Sequence, residues 1–162
     1  MKLTKVRVEL FENIVDSTDV EMERDVTCLV GKNESGKTAF LRALSRLNPA
    51  YEQGSKFVPR DDYPRWRWRR DEKEKRVEGA KPICATFQLS DDDVAAVGEA
   101  FGSGALASRD LRAWRTYANE LFLEVDATKL PSFSTSSVSC RRGTRRVAGW
   151  PRRRRWSCFR VP

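Results

Sequence analysis

Eight consecutive residues, Gly31-Lys32-Asn33-Glu34-Ser35-Gly36-Lys37-Thr38, restrict this chain's fold more than anything else in its sequence. They set a glycine, four residues and then Gly-Lys-Thr, the Walker A spacing, which works only where a strand runs into the loop and a helix runs out of it. Average composition produces that pattern by chance in about one chain in a hundred of this length, so the flanking residues decide whether it carries meaning. Both flanks comply. Val26-Thr27-Cys28-Leu29-Val30 is apolar and β-branched and reads as a fully buried central strand. Lys37 to Leu47 places Phe40, Leu41, Leu44 and Leu47 at helical spacing, and Asn48-Pro49 ends that helix.

The loop's composition suits phosphate. Without side chains at Gly31 and Gly36 the backbone can curl with its N–H groups inward, where a Cβ would stand in the way. The first turn of the helix adds unpaired N–H groups and the positive end of its dipole. Lys37 is expected to reach β- and γ-phosphate oxygens, and the Thr38 hydroxyl to ligate a bridging Mg²⁺. Lys32, Asn33, Glu34 and Ser35 complete the nucleotide-binding set through their backbone N–H groups, and Asn33 and Ser35 can add side-chain hydrogen bonds.

Around the loop, Lys2 to Phe11 alternates, with Leu3, Val6, Val8 and Leu10 toward a core and Lys5, Arg7 and Glu9 toward solvent, as in a half-buried strand. Val20 to Met22 reads as a short second strand after the Asp16-Ser17-Thr18-Asp19 turn. Residues 50–81 are polar and charged and predict a long excursion with little core of its own. Ile83 to Leu89 is a strand; Ser90 then caps a helix through Phe101, closed by Gly102-Ser103-Gly104. A helical turn is expected around Ser108 to Trp114 and a last strand at Glu120 to Val125.

Met1 to about Pro49 resembles the N-terminus of the ATP-binding-cassette heads of the SMC, RecF and SbcC type, P-loop ATPases of the AAA kind, and of the OLD-family ATPase–nucleases. The resemblance rests on Lys2-Leu3-Thr4-Lys5-Val6-Arg7-Val8-Glu9-Leu10-Phe11 as first strand and on Val26 to Thr38 as strand plus loop, with Asn33 and Ser35 also matching. Many members have glycine where this chain has Glu34, although some OLD-like ATPases share the acid. The resemblance implies an α/β fold, the first lobe of a P-loop NTPase with a mixed sheet and one P-loop helix, spanning residues 1–128 and incomplete. It implies ATP and Mg²⁺ as cofactors, heads that dimerise around ATP, and DNA as a partner through DNA repair or phage defence. It leaves ATP hydrolysis by this chain alone in question, because no signature motif or Walker B pair is found and no catalytic residue can be named.

Four further features have two readings each. Leu121 to Asp126 ends in an acid after a strand, but Glu124 interrupts the apolar run and Ala127 stands where a catalytic Glu would, so an ordinary strand is favoured over a Walker B. Gln88 could be a Mg²⁺-sensing glutamine, yet its surroundings favour an exposed strand position. Asp91-Asp92-Asp93 reads as helix capping rather than a cation site. Arg65-Trp66-Arg67-Trp68-Arg69-Arg70 suits phosphate contact and base stacking, but Asp71-Glu72-Lys73-Glu74-Lys75-Arg76 alternates in sign and favours a solvated, partly helical excursion.

The net charge of +8 is uneven: ten of the 31 Lys and Arg lie in residues 129–162 with no acid, leaving 21 against 23 Asp and Glu in the body. Residues 129–162 read as a disordered basic tail. A nucleic-acid arm and a plain extension compete there with a third, favoured reading, an out-of-frame end to a longer gene, because Arg, Pro, Ser, Trp and Cys without Asp, Glu or Ile are typical of misread GC-rich coding sequence. The four cysteines have neither zinc-site spacing nor a secreted framework, and the absence of histidine excludes imidazole chemistry. With no long apolar run and no secretory N-terminus, a soluble, cytoplasmic chain without membrane partners is expected.

Three functions follow. The leading one is an ATP-binding fragment of a cassette-type ATPase. The second is a basic nucleic-acid-binding protein using the Arg-Trp run and the tail. The third is a small self-sufficient P-loop enzyme relying on Asp126. If the first holds, the uncovered sheet edge implies marginal stability.

Overall fold

A computed structural model describes residues 1–49 and 56–128, together with the backbone of residues 157–160. In chain order it contains strands β1 (Lys2–Phe11), β2 (Ile14–Asp16) and β3 (Val20–Glu21), then helices α1 (Lys37–Leu47), α2 (Pro59–Asp62) and α3 (Arg65–Lys73). Strand β4 (Ile83–Gln88), helix α4 (Asp91–Phe101) and strands β5 (Leu106–Arg115), β6 (Leu121–Ala127) and β7 (Ser157–Arg160) follow. The architecture is α/β. The strands form one sheet in the order β2-β1-β4-β5-β6-β7, with β3 also on β1. The expected disordered tail lies outside the described residues apart from β7, which pairs with β6.

β1 organises the sheet. Val6 and Val8 point into the core as the alternation requires, but Leu10 adopts φ 52°, so Phe11 rather than Leu10 becomes the fully buried residue at its end. The two-residue turn Glu12-Asn13 then reverses the chain, with Phe11 opposite Ile14. On its other side β1 pairs with β4 along Lys2 to Val8.

Every pairing in the described sheet is antiparallel, which corrects the expectation of a mixed sheet. The parallel member would have been Val26–Val30, and that segment is not a strand. Val26 is 73% and Val30 92% exposed, while Leu29 alone of the apolar run packs against the core cluster. β-branched composition makes a segment ready for a sheet, but burial needs neighbours on both faces, and β1 already has partners on both edges. The helical turn expected at Ser108 to Trp114 is likewise strand β5. Pairing with β4 on one side and β6 on the other settles it, with Ala113 buried between Ala85 and Leu123.

α1 matches its expected bounds but is rotated: Ala39, Phe40, Ala43 and Leu47 are buried, whereas Leu41 is 56% exposed. Small residues at Ala39 and Ala43 let the helix approach β1 and β4 closely. α4 starts with a complete capping box, Ser90 and Asp93 each satisfying the other's backbone N–H, and stops at Gly102 with φ 94°.

The excursion proves more than a surface loop. Residues 50–55 lie outside the described residues, but Phe57 and Tyr63 are almost fully buried. Phe57 meets Phe11 edge-on at 5.6 Å between centroids, and Tyr117 touches both Phe57 and Tyr63. The Tyr117 hydroxyl donates to the Leu10 carbonyl at 2.6 Å, and Tyr63 donates to Asp71 Oδ2 at 2.6 Å. Burial holds both phenols above their ordinary range.

Arg46, in the last turn of α1, fastens the helix to this cluster. It pairs with Asp62 Oδ2 at 2.5 Å, and its guanidinium lies 5.3 Å from the Phe11 centroid and 5.5 Å from that of Phe57. Asp62 is buried and also accepts from the Val58 N–H. Arg46→Ala should therefore cost about 3 kcal/mol in urea unfolding, because a buried carboxylate loses its cation. Arg42→Ala, where an exposed guanidinium pairs with half-buried Glu12, should cost under about 1 kcal/mol.

Candidate nucleotide site at the head of helix α1

The loop closes around its own lysine. Lys37 Nζ donates to the Gly31 carbonyl at 2.8 Å, the Lys32 carbonyl at 2.6 Å and Ser35 Oγ at 3.3 Å. Those three contacts use all three ammonium donors and draw residues 31–37 into a ring at the start of the helix. Ser35 N–H closes a turn onto the Lys32 carbonyl at 3.3 Å.

One glycine is required by the geometry, and a second lies close to the loop's own serine. Gly36, the residue before α1, has φ 93°, and a Cβ there would lie 2.9 Å from Ile14 Cγ1. A Cβ on Gly31 would meet Ser35 Oγ at 2.9 Å. Glu34 also has a positive φ, 64°, which an L side chain adopts at a cost of about 1 kcal/mol. That backbone conformation explains why glycine suits the position. In compensation, Asn13 Nδ2 donates to the Glu34 carbonyl at 2.7 Å.

The β1–β2 turn therefore supports the loop from below. Asn13 holds Glu34, Ile14 packs under Gly36, and Glu12 reaches Arg42 of α1 at 3.1 Å while its N–H bonds to the Asp62 carbonyl. None of these three residues stands out in the sequence. The one signal that could have pointed to them is the turn-forming Glu-Asn pair ending a strand, and turn propensity does not say what a turn touches.

The loop residues lie together at the head of α1. Gly31, Lys32, Asn33, Glu34 and Ser35 are exposed, Gly36 is buried, Lys37 is half-buried and Thr38 is exposed in the first turn. The other sequence candidates lie elsewhere. α1 packs on β1 and β4, whereas Asp126 is on β6, two strands beyond β4, at 3.5 Å from Ser108 Oγ. Gln88 faces Lys2 in the register, at the end of β1 away from the loop. The ten residues of β1 separate the two ends by about 30 Å, so Gln88 cannot sense anything held at Lys37. Asp91, Asp92 and Asp93 serve the α4 terminus, and Asp93 is further held by the N-terminal ammonium at 2.7 Å. Hydrogen bonds from that ammonium and from Ser90 hold its carboxyl well below the usual range.

Residues 1–104 match the sequence profile of the AAA ATPase domain family. The chain belongs to the AAA ATPase domain family. No curated protein matches it. The AAA ATPase domain match takes in β1, the loop, α1, the excursion, β4 and α4, and it brings with it nucleotide binding, ordinarily with Mg²⁺. The residues present fit such a ligand: a glycine at Gly36 that admits no Cβ, a lysine held within the loop, and an exposed hydroxyl at Thr38 in the first turn. No helix among the described residues is long and apolar enough to cross a membrane.

Glu34→Gly should raise stability by about 1 kcal/mol, read as an increased urea midpoint, because glycine relieves the left-handed strain. Gly36→Ala should lower it by at least that amount, as both the φ and the Ile14 contact oppose a methyl group. A Glu34→Gly variant no more stable than the parent would mean that the Glu34 side chain contributes a compensating contact.

Proposed function

We propose that residues 1–128 form the ATP-binding N-terminal lobe of a cassette-type ATPase of the RecF, SMC and OLD-like kind, acting in DNA repair or phage defence. The observation that supports this reading best is the ring at the head of α1, in which Lys37 is held against the Gly31 and Lys32 carbonyls and the Ser35 hydroxyl. A triphosphate entering there would exchange the lysine's contacts with loop carbonyls for contacts with its β- and γ-phosphates. Thr38 would supply a hydroxyl to Mg²⁺, which when bound neutralises charge between those phosphates. The backbone N–H groups of Lys32, Asn33 and Glu34 and the dipole of α1 would add donors, and the Ser35 N–H would join them on leaving the Lys32 carbonyl.

Hydrolysis by the lobe alone is not part of the proposal. Among the described residues Asp126, the acid that follows an apolar run, is on a strand remote from α1. The group that activates water is then supplied from outside residues 1–128, in keeping with heads that pair around ATP.

Binding of a fluorescent ATP analogue in the presence of Mg²⁺ tests the reading. Lys37→Ala should weaken it at least about tenfold, or about 1.4 kcal/mol, and Thr38→Ala should reduce the gain in affinity that Mg²⁺ confers. Phosphate release should not exceed the buffer rate. Unchanged affinity in the Lys37 variant would refute the proposal, and turnover abolished by Asp126→Asn would replace it with a self-sufficient P-loop enzyme.

A further inference from the structure

The six residues Arg65-Trp66-Arg67-Trp68-Arg69-Arg70 alternate in sequence but separate by face once α3 forms. Trp68 turns inward, half-buried against Tyr63 at 5.9 Å between centroids. Trp66 turns outward and is 72% exposed. At about 100° per residue, Arg65, Arg69, Lys73, Trp66 and Arg70 fall within an arc of about 140°, and all five are exposed.

Of the three acids that follow in the sequence, two are withdrawn from this face. Asp71 is buried, taken by the Tyr63 hydroxyl and by Arg67 at 3.4 Å. Glu74, past the helix end, is shared between Arg70 at 3.5 Å and Arg76 at 2.9 Å. Glu72 alone remains on the exposed helix surface, about 20° outside the arc on the Arg65 side. Arg65, Arg69 and Lys73 have no ion-pair partner among the described residues.

We infer that this outward face of α3 binds single-stranded nucleic acid, Trp66 stacking on a base and Arg65, Arg69 and Lys73 contacting backbone phosphates. An exposed indole amid cations is suited to an unstacked base, since base–aromatic stacking adds to phosphate attraction only where a base is free to leave its neighbours. A duplex offers phosphates but no free base face. A membrane surface calls for a broad apolar stripe, and α3 exposes one indole. Arg67, 5.6 Å from the Trp66 centroid, restrains the ring and leaves its second face open. The helix is held rigid underneath by Trp68, Tyr63 and Asp71, so the platform is formed before anything binds. This inference rests on α3 and not on the nucleotide reading.

Fluorescence anisotropy of a labelled oligothymidylate with the full chain tests it. Trp66→Ala should weaken binding about tenfold, and Trp66→Phe should restore most of that loss. Replacing Arg65, Arg69 and Lys73 together by Gln should lower the slope of log affinity against log salt by about two. All these side chains face solvent, so circular dichroism and ATP-analogue binding should stay as in the parent. Affinity and slope unchanged in both variants would overturn the inference and assign binding to the basic residues beyond 128. Equal binding of duplex that ignores Trp66→Ala would overturn it by removing the stacking role. Binding to phosphatidylserine vesicles without binding to oligothymidylate would overturn it in favour of a membrane surface. Loss of ATP-analogue binding on Lys37→Ala is read separately, so either conclusion can fail alone.

Discussion

The contact between Ile14 and Gly36 sets the position of everything at the head of α1. Ile14 opens β2 directly after the β1 turn, and it reaches the loop at a point where even one added carbon would lie 2.9 Å from its Cγ1. Close approach at that point lets Asn13 reach the Glu34 carbonyl, and it places the first turn of α1 directly over the end of the sheet. The loop is thus not a flexible appendage between two elements. Its shape is fixed by a side-chain contact beneath, a hydrogen bond from the side and its own lysine within.

The second tie lies at the other end of α1. Arg46 joins the helix terminus to Asp62, and Phe11, Phe57, Tyr63 and Tyr117 gather around that pair. Cations near a helix C-terminus are favourable in themselves, but here the larger effect is that one guanidinium satisfies a buried carboxylate and covers two rings. The sheet, the helix and the excursion meet there, and the excursion becomes part of the core. A polar, charged stretch could do this because its few aromatic residues, not its average composition, decide what is buried.

The loop, α1, β1, β4, α4 and β6 were legible in the sequence because each carries a local signal: glycine spacing, helical or alternating apolar periods, a Ser-x-x-Asp cap. What was not legible depends on partners distant in the chain. Ser108 to Trp114 has charges and aromatics compatible with either state, and only pairing with β4 and β6 makes it a strand. Leu41 fits the helical period as well as Phe40 does, yet Ala39 and Ala43 take the inner face because the sheet comes close. Val26–Val30 has the composition of a buried strand and no neighbour to bury it. At the site, Lys37 and its glycines were readable as a motif, whereas Glu12, Asn13 and Ile14 act through contacts across the fold that no spacing rule encodes. The sign alternation after Arg70 suggested a solvated, partly helical stretch, which α3 is, but it did not show that Asp71 turns inward.

The exposed entry to the loop has a thermodynamic consequence. Val26 and Val30 are largely exposed within the five residues before Gly31, and a segment with so few contacts opens at little cost. Opening of this entry segment, unlike the fixed loop it leads into, would reduce ligand affinity by the fraction of time it is open. Whatever covers these two valines would tighten ATP binding without touching ATP. By linkage, ATP would tighten that covering in equal measure, so this apolar strip would act as a coupling surface as well as an uncovered edge.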